Sequence, residues 1–210
     1  MAQIDLRTPL TLRNAFAFPL QNQVARKEIL IGGALLAVPF IGWLLNMGHR
    51  IAMVHAMHNG RAPWPAWRSW RELFSHGLIT WLGMIYYYLP SAGLLAIYAE
   101  TGTPFAAVAS LALFVLATLA IPGYMTHYCQ RFDPAEIFNP FKALGRSFEG
   151  GRAYWHAWGI ALIALALSLL GLLALGIGFL FTSVWFWQVA GYSFANAFTN
   201  RYQLAANSDA

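Results

Sequence analysis

The chain has 210 residues, of which 59% are hydrophobic, 16% aromatic and only 10% charged. Soluble domains carry about 25% charged residues, so this composition excludes an ordinary soluble domain and also a disordered chain. It predicts an integral membrane protein. The net charge of +5 is explained by loops that set orientation and contact anionic lipid, so no nucleic acid partner is predicted.

The N-terminal segment, residues 1–27, is too polar for a secretory signal. Its apolar part, residues 15–20, is too short to cross a bilayer and is predicted to lie at the membrane interface. The single cysteine, Cys129, excludes an internal disulfide and a metal site built from several cysteines.

The first membrane-spanning helix is predicted to start at Glu28, to run through residues 29–45 and to continue as a more polar helix to His58. Pro39 is predicted to kink this helix. The Gly- and Pro-rich residues 59–65 are predicted to end it.

A short amphipathic helix is predicted over residues 66–75, because Trp67, Trp70 and Phe74 fall on one helical face. Tryptophan favours the head-group level, so this helix is expected at the interface. It leads into a second span, residues 77–99, with Pro90 in its middle.

Residues 100–104 form a predicted turn without Lys or Arg, and the third span follows over residues 105–129, with Pro122 near its end. After a polar loop, a second amphipathic helix is predicted near residues 138–149. The apolar run from residue 155 to residue 198 is too long for one crossing.

A break at residues 176–178 would divide this run into a fourth span, residues 153–175, and a fifth, residues 179–198; one long tilted helix is the alternative. The predicted fold is therefore an all-α polytopic bundle of about five transmembrane helices with two interfacial helices. Its interface residues and its helix kinks are the following: Trp64, Trp67, Arg68, Trp70, Arg71, Phe138, Phe141, Lys142, Arg146 and Trp155, and then Pro39, Pro90 and Pro122.

The sequence also suggests an internal parallel repeat of about 74–75 residues. Residues 65–74 align with residues 139–148, and Trp81 aligns with Trp155. The transmembrane domain, residues 28–203, is accordingly divided into two repeats and one partial copy. The divisions are 28–103, 104–177 and 178–203, followed by a C-terminal tail over 204–210.

With five spans, the loops at residues 50–75 and 131–152 share one side with the C-terminus, and together with Arg201 they carry nine of the 13 Lys and Arg residues. The positive-inside rule places both loops in the cytoplasm. The four basic residues before Glu28 then lie on the wrong side. A re-entrant first segment, bent at Pro39, is the alternative that removes this conflict.

Several stretches resemble an uncharacterised prokaryotic membrane-protein family known as domain of unknown function 4013. They are residues 15–20, 27–33, 48–50, 59–67, 70–77 and 85–90. The resemblance implies a polytopic membrane fold, a prokaryotic cell (inner) membrane location and no transferable catalytic residue. His49 stands where the family usually has tyrosine, and Arg68 and Arg71 replace a more acidic form of the segment.

The six histidines all lie near the predicted cytoplasmic boundary. His55 and His58 share a helix face, so with His127 they are candidate haem or metal ligands. The alternative is that they are ordinary interface residues. No metal site, cofactor or catalytic residue is predicted, although aromatic residues could contact lipid or pigment.

The predicted span cores contain no ionisable residue, which argues against an ion-coupled pump. The first functional hypothesis is a non-enzymatic structural or accessory subunit of a larger, photosynthetic or respiratory, membrane complex, with lipids and other membrane subunits as partners. The alternative is a small permease or lipid-handling protein that uses a cavity between helices kinked by proline.

Overall fold

The computed structural model describes Leu6 and residues 8–206, with side chains up to Thr199. Every regular element in this part of the chain is helical. Three 3₁₀ turns, Phe18–Leu20, Pro134–Glu136 and Leu170–Leu173, accompany the α-helices. The α-helices are α1 Leu12–Ala17, α2 Gln23–Leu36, α3 Ile41–His58, α4 Trp70–Thr101, α5 Pro104–Arg131, α6 Pro140–Glu149, α7 Gly151–Leu169 and α8 Ile177–Ala206.

Three helical segments are long and apolar enough to cross a membrane: α4, α5, and α7 with its 3₁₀ extension to Leu173. Much of their surface is apolar and exposed, which is the arrangement expected of helices that face lipid. The all-helical class is therefore confirmed for the described residues, with three helices that could cross a membrane. Five spans and the sequence repeat are not confirmed.

The predicted first span is not one helix. The chain reverses after Leu36, and α2 and α3 pack against each other as an antiparallel hairpin. The Asn46 amide Nδ2 donates to the Gly32 carbonyl at 3.1 Å, and a Cβ on Gly42 would lie 1.8 Å from the Leu35 carbonyl oxygen. The kink predicted at Pro39 is instead a chain reversal, in which Phe40 has a φ of 64°.

The hairpin reaches only part of the way along the long helices. At its tip, the Phe40 ring contacts the Trp81 ring edge-on at 5.3 Å between centroids, and Trp81 lies in the first half of the 32-residue α4. Helix α2 has 14 residues, which is about 21 Å at a rise of about 1.5 Å per residue. That length is short of the roughly 30 Å hydrocarbon core of a bilayer.

Residues 61–69 do not form the predicted interfacial helix: they are irregular, and α4 begins at Trp70. The bulky ring packing around residues 64–67, described below, holds this loop against the hairpin. The second amphipathic helix is present as α6, which starts at Pro140 after an Asn139 cap. The two proposed repeats therefore differ in their elements.

The two predicted reversals between long helices are confirmed. Gly102, with a φ of 66°, ends α4, and Gly176, with a φ of 77°, precedes α8. Thr182 then donates to the Ser168 carbonyl at 2.7 Å and ties α8 back to α7. Residues 153–198 thus form two helices rather than one long one.

The described part of the N-terminal segment packs against α8. The Phe18 ring is buried and stacks on Tyr192 at 4.6 Å between centroids. The Asn196 amide donates to the backbone carbonyls of Leu6 and Thr8 at 2.7 and 2.8 Å. The position of residues 15–20 at the membrane interface stays a prediction.

Candidate functional site: a polar vestibule beside a buried Glu–His pair

A carboxylate and an imidazole meet inside the hairpin. Glu28 and His49 are each 2% exposed, and His49 Nε2 lies 2.7 Å from Glu28 Oε2. The Ala66 amide N–H donates to the same carboxylate oxygen at 3.1 Å. In one continuous helix these two residues would lie far apart, so the sequence pattern gives no sign of the pair, which exists only because the chain reverses at Pro39.

Two tryptophans of the 61–69 loop enclose the His49 ring. Trp67 stacks on it at 4.1 Å and Trp64 at 6.1 Å between centroids, and the Trp67 indole N–H donates to the Glu28 carbonyl at 3.1 Å. The buried pair therefore fixes the hairpin and the loop to each other. That loop is one wall of the largest polar cavity described below.

A cavity of about 530 Å³ opens between the end of α3, the 61–69 loop, the start of α4 and the residue after α5. We call this cavity the vestibule. Its volume lies within the roughly 300–1,000 Å³ of small-molecule sites. Its polar lining includes the side chains of Arg61, Arg68, Ser69, Glu72, His55 and His76.

Formal charge favours an anion in the vestibule. Arg61 and Arg68 are exposed and face one carboxylate, that of Glu72, among the described lining residues. Arginine binds carboxylate and phosphate oxygens through several N–H donors at once. The lining therefore suits a negatively charged group that enters from the end of the bundle where the Lys- and Arg-bearing segments 61–71 and 131–152 lie, which we call the basic end.

Phe132 separates the two vestibule histidines. Its ring stacks on His55 and on His76, with 4.1 Å between centroids in both cases. His55 Nδ1 lies 2.7 Å from the Cys129 carbonyl, which can only accept, so this nitrogen carries the proton. His76 Nδ1 pairs with the Tyr128 hydroxyl at 2.7 Å. Each imidazole is thus held both by stacking on Phe132 and by a hydrogen bond, as in a pre-organised site.

Two residues that line the vestibule have a positive φ, a backbone conformation that residues other than glycine rarely adopt. Ser69 has a φ of 51° and Phe132 a φ of 56°. Such positions cost about 1–3 kcal/mol and cluster at ligand-binding sites. Neither strain was visible in the sequence, since neither residue is a glycine or an asparagine.

The three histidines proposed as ligands point to different places. His55 lies in the vestibule, His58 Nδ1 lies 3.1 Å from the Thr199 hydroxyl on α8, and His127 Nδ1 lies 2.7 Å from the Gly123 carbonyl. No group of three or more His, Cys, Asp or Glu residues among those described is placed to hold a metal ion. A haem or metal role for these residues stays a prediction.

Three of the residues predicted for the interface contact the buried pair or line the vestibule. Trp64 is only 4% exposed and Trp67 is half-buried against His49, because both cover the Glu28–His49 pair. Arg68 lines the vestibule. The remaining residues predicted for the interface are exposed or half-buried at the basic end: Trp70, Arg71, Phe138, Phe141, Lys142, Arg146 and Trp155.

Lys142 and Arg146 belong to a small surface charge network, and Trp155 is an exposed ring. Lys142 and Arg146 both pair with Glu136, and Arg146 also approaches Glu149 at 3.3 Å. Trp155 is 57% exposed. This network anchors α6 to the preceding loop.

Comparison with known proteins adds no identity: no family model, no curated protein and no solved structure matches the chain. The resemblance to domain of unknown function 4013 therefore remains a prediction from the quoted residues. Function has to be inferred from the vestibule and its surroundings.

Proposed function

We propose that the chain crosses the membrane four times, through α4, α5, α7 and α8, and that α2 and α3 form a re-entrant hairpin. Helix α8 has 30 residues, about 45 Å at roughly 1.5 Å per residue, and packs against α7. This topology is the re-entrant alternative to the five-span prediction.

The distribution of charge supports this topology. No Lys or Arg occurs between residues 72 and 130 or between residues 153 and 200. With a re-entrant hairpin, the basic residues that precede Glu28 join those of the 61–69 and 131–152 segments on one side, and the two short turns on the other side carry none. The positive-inside rule then makes the vestibule open to the cytoplasm of a prokaryotic cell.

The protein, in this proposal, is a lipid-handling membrane protein that binds the anionic head group of a phospholipid in the vestibule. The observation that carries the proposal is the position of Arg61 and Arg68 on a headgroup-sized cavity at the basic end of the bundle. In the proposed topology the basic end of the bundle lies at the level of the head-group phosphates, and the exposed apolar surfaces of the neighbouring helices would contact the acyl chains.

Two other functions remain proposals. An accessory subunit of a larger membrane complex requires a partner surface, and the exposed apolar side chains are equally suited to lipid. A permease that uses the three prolines would need them around one cavity. Pro90 borders an apolar cavity of about 250 Å³ and Pro122 a different one of about 60 Å³, while Pro39 lies in the hairpin turn.

The test is binding of phosphatidylglycerol to the full chain in nanodiscs or mild detergent, followed by native mass spectrometry. Substitution of both Arg61→Gln and Arg68→Gln removes two charge-assisted contacts and is expected to weaken retention about tenfold. Arg71→Gln is the matched control, because Arg71 is exposed nearby but does not line the vestibule.

Soluble glycerol phosphate and neutral phosphatidylcholine separate the sources of the phosphate. Competition by glycerol phosphate without any preference for phosphatidylglycerol would indicate a soluble ligand and contradict the lipid proposal. Equal retention of phosphatidylglycerol by the double variant and by Arg71→Gln would contradict a role for the vestibule.

A further inference from the structure

A second polar site lies on the opposite side of α3, away from the vestibule. A cavity of about 40 Å³ is enclosed by the hairpin, α4 and α8, and Arg50, Gln188 and Asn46 are its main polar lining, together with His49. About 10–15 Å³ of such space holds one water-sized group. The cavity thus has room for about three such groups, which is the heavy-atom count of a carboxylate.

Gln188 is the clearest sign that this cavity binds something. The residue is 1% exposed, and both its amide nitrogen and its amide oxygen are buried without a hydrogen-bond partner among the described residues. A buried unpaired polar group costs about 1–3 kcal/mol. A leucine at position 188 of α8 would bury no unpaired polar group and would avoid this cost, yet the chain has an amide there.

Arg50 supplies the charge. No carboxylate of the described chain lies within ion-pair distance of its guanidinium. The group instead stands 4.6 Å from the centre of the Trp187 ring and donates from Nη2 to the Met125 sulfur at 3.0 Å. A cation inside a bundle that is partly surrounded by hydrocarbon is expensive without a counter-charge, and such residues mark ligand sites.

The rest of the lining is apolar and reaches the outer surface. Trp43 is 37% and Trp187 is 40% exposed, and Leu36, Met84 and Val184 complete the wall. Next to this opening, Val38, Phe40 and Ile41 at the hairpin tip are about half exposed. A ligand with a small anionic head and an apolar chain could therefore enter sideways from the lipid.

We propose that this cavity binds the carboxylate of a fatty acid, with the head group on Arg50 and Gln188 and the acyl chain along Trp43 and Trp187. The carboxylate oxygens would accept from the Arg50 guanidinium and from the Gln188 amide nitrogen. This site shares no charged residue with the vestibule, so the proposal stands independently of the proposed head-group binding.

The experiment measures oleate binding to the purified full-length protein in a non-ionic detergent, by isothermal titration and by the shift in unfolding temperature. Oleyl alcohol tests the need for the negative charge, and acetate and chloride test the need for the chain. Saturable binding of oleate is expected, at least tenfold tighter than binding of oleyl alcohol or of the two small anions.

Gln188→Leu and Arg50→Gln are each expected to weaken oleate binding at least tenfold. Gln188→Leu removes an unpaired buried amide and is expected to fold at least as well as the parent, so its loss of binding cannot be ascribed to unfolding. Arg71→Gln and the Arg61→Gln/Arg68→Gln double variant are expected to bind oleate as the parent does.

Four results would overturn the proposal. Three of them are no saturable oleate binding, equal binding by the parent and Gln188→Leu, and equal binding of oleate and oleyl alcohol. Tighter binding of chloride or acetate than of oleate would also overturn it, because the site would then hold a small inorganic or soluble anion. Since the vestibule variants serve as controls, failure of one proposal is separable from failure of the other.

Discussion

Replacement of Glu28 by alanine should destabilise the protein more than removal of any exposed carboxylate. The substitution leaves the buried His49 ring nitrogen and the Ala66 amide without their shared acceptor. A buried donor that loses its acceptor costs about 1–3 kcal/mol, so the two donors together cost about 2–6 kcal/mol. Each 1 kcal/mol shifts the unfolding midpoint of a domain of this size by about 2–4 °C, so a fall of about 4–24 °C is expected.

The assay is thermal unfolding in detergent, followed by tryptophan emission, because Trp64 and Trp67 pack on the His49 ring. Glu100→Ala is the matched control: Glu100 is an exposed carboxylate in the last turn of α4, and its loss should change stability by less than about 0.5 kcal/mol. Equal midpoints for Glu28→Ala and Glu100→Ala would refute the idea that the pair fixes the hairpin to the loop.

Three further outcomes follow from the packing. Gly48→Ala places a Cβ 1.8 Å from the Leu73 carbonyl oxygen and should destabilise the protein by about 1–3 kcal/mol in the same unfolding assay. Gly93→Ala is the control, because no atom lies within 4 Å of a Cβ added there, and it should not lower stability. Equal effects of the two substitutions would contradict the close contact of α3 with α4. Burial lowers the pKa of His58 to about 4, with repulsion from His127 and His55 adding to the effect, so His58 contributes stability at neutral pH that is lost as pH falls from about 6.5 toward 4. The unfolding midpoint of His58→Gln should fall less over that interval than the midpoint of the parent, and parallel pH profiles would contradict this. Phe132→Ala removes the ring between His55 and His76 and should weaken phosphatidylglycerol retention in native mass spectrometry, while Phe141→Ala, on an exposed ring of α6, should not.

Local signals predicted the long helices and their turns. Apolar runs of sufficient length indicated α4, α5, and α7, and the turn glycines Gly102 and Gly176 marked the reversals, because a left-handed backbone there is easiest for glycine. These features depend on residues close together in the chain. They could therefore be found without knowledge of tertiary contacts.

The hairpin and the site depend on contacts between distant residues. An apolar run over residues 29–45 has the length of one span, so the pattern itself does not distinguish a kink at Pro39 from a full reversal. The conflict of the N-terminal basic residues with the positive-inside rule was the one available signal. The vestibule joins four separate segments, and no local pattern brings His55, Arg61, His76 and Phe132 together.

The central claim is that the hairpin returns to the side from which it enters, which gives the vestibule its loop wall. The most direct test labels single cysteines with a membrane-impermeant maleimide, in intact cells and in inverted vesicles, after Cys129→Ala removes the native thiol. Cysteine at position 26 and cysteine at position 100 should be labelled from opposite sides, with position 26 reached only in inverted vesicles. Labelling of both positions from the same side would show that residues 28–58 cross the membrane and would contradict the re-entrant fold.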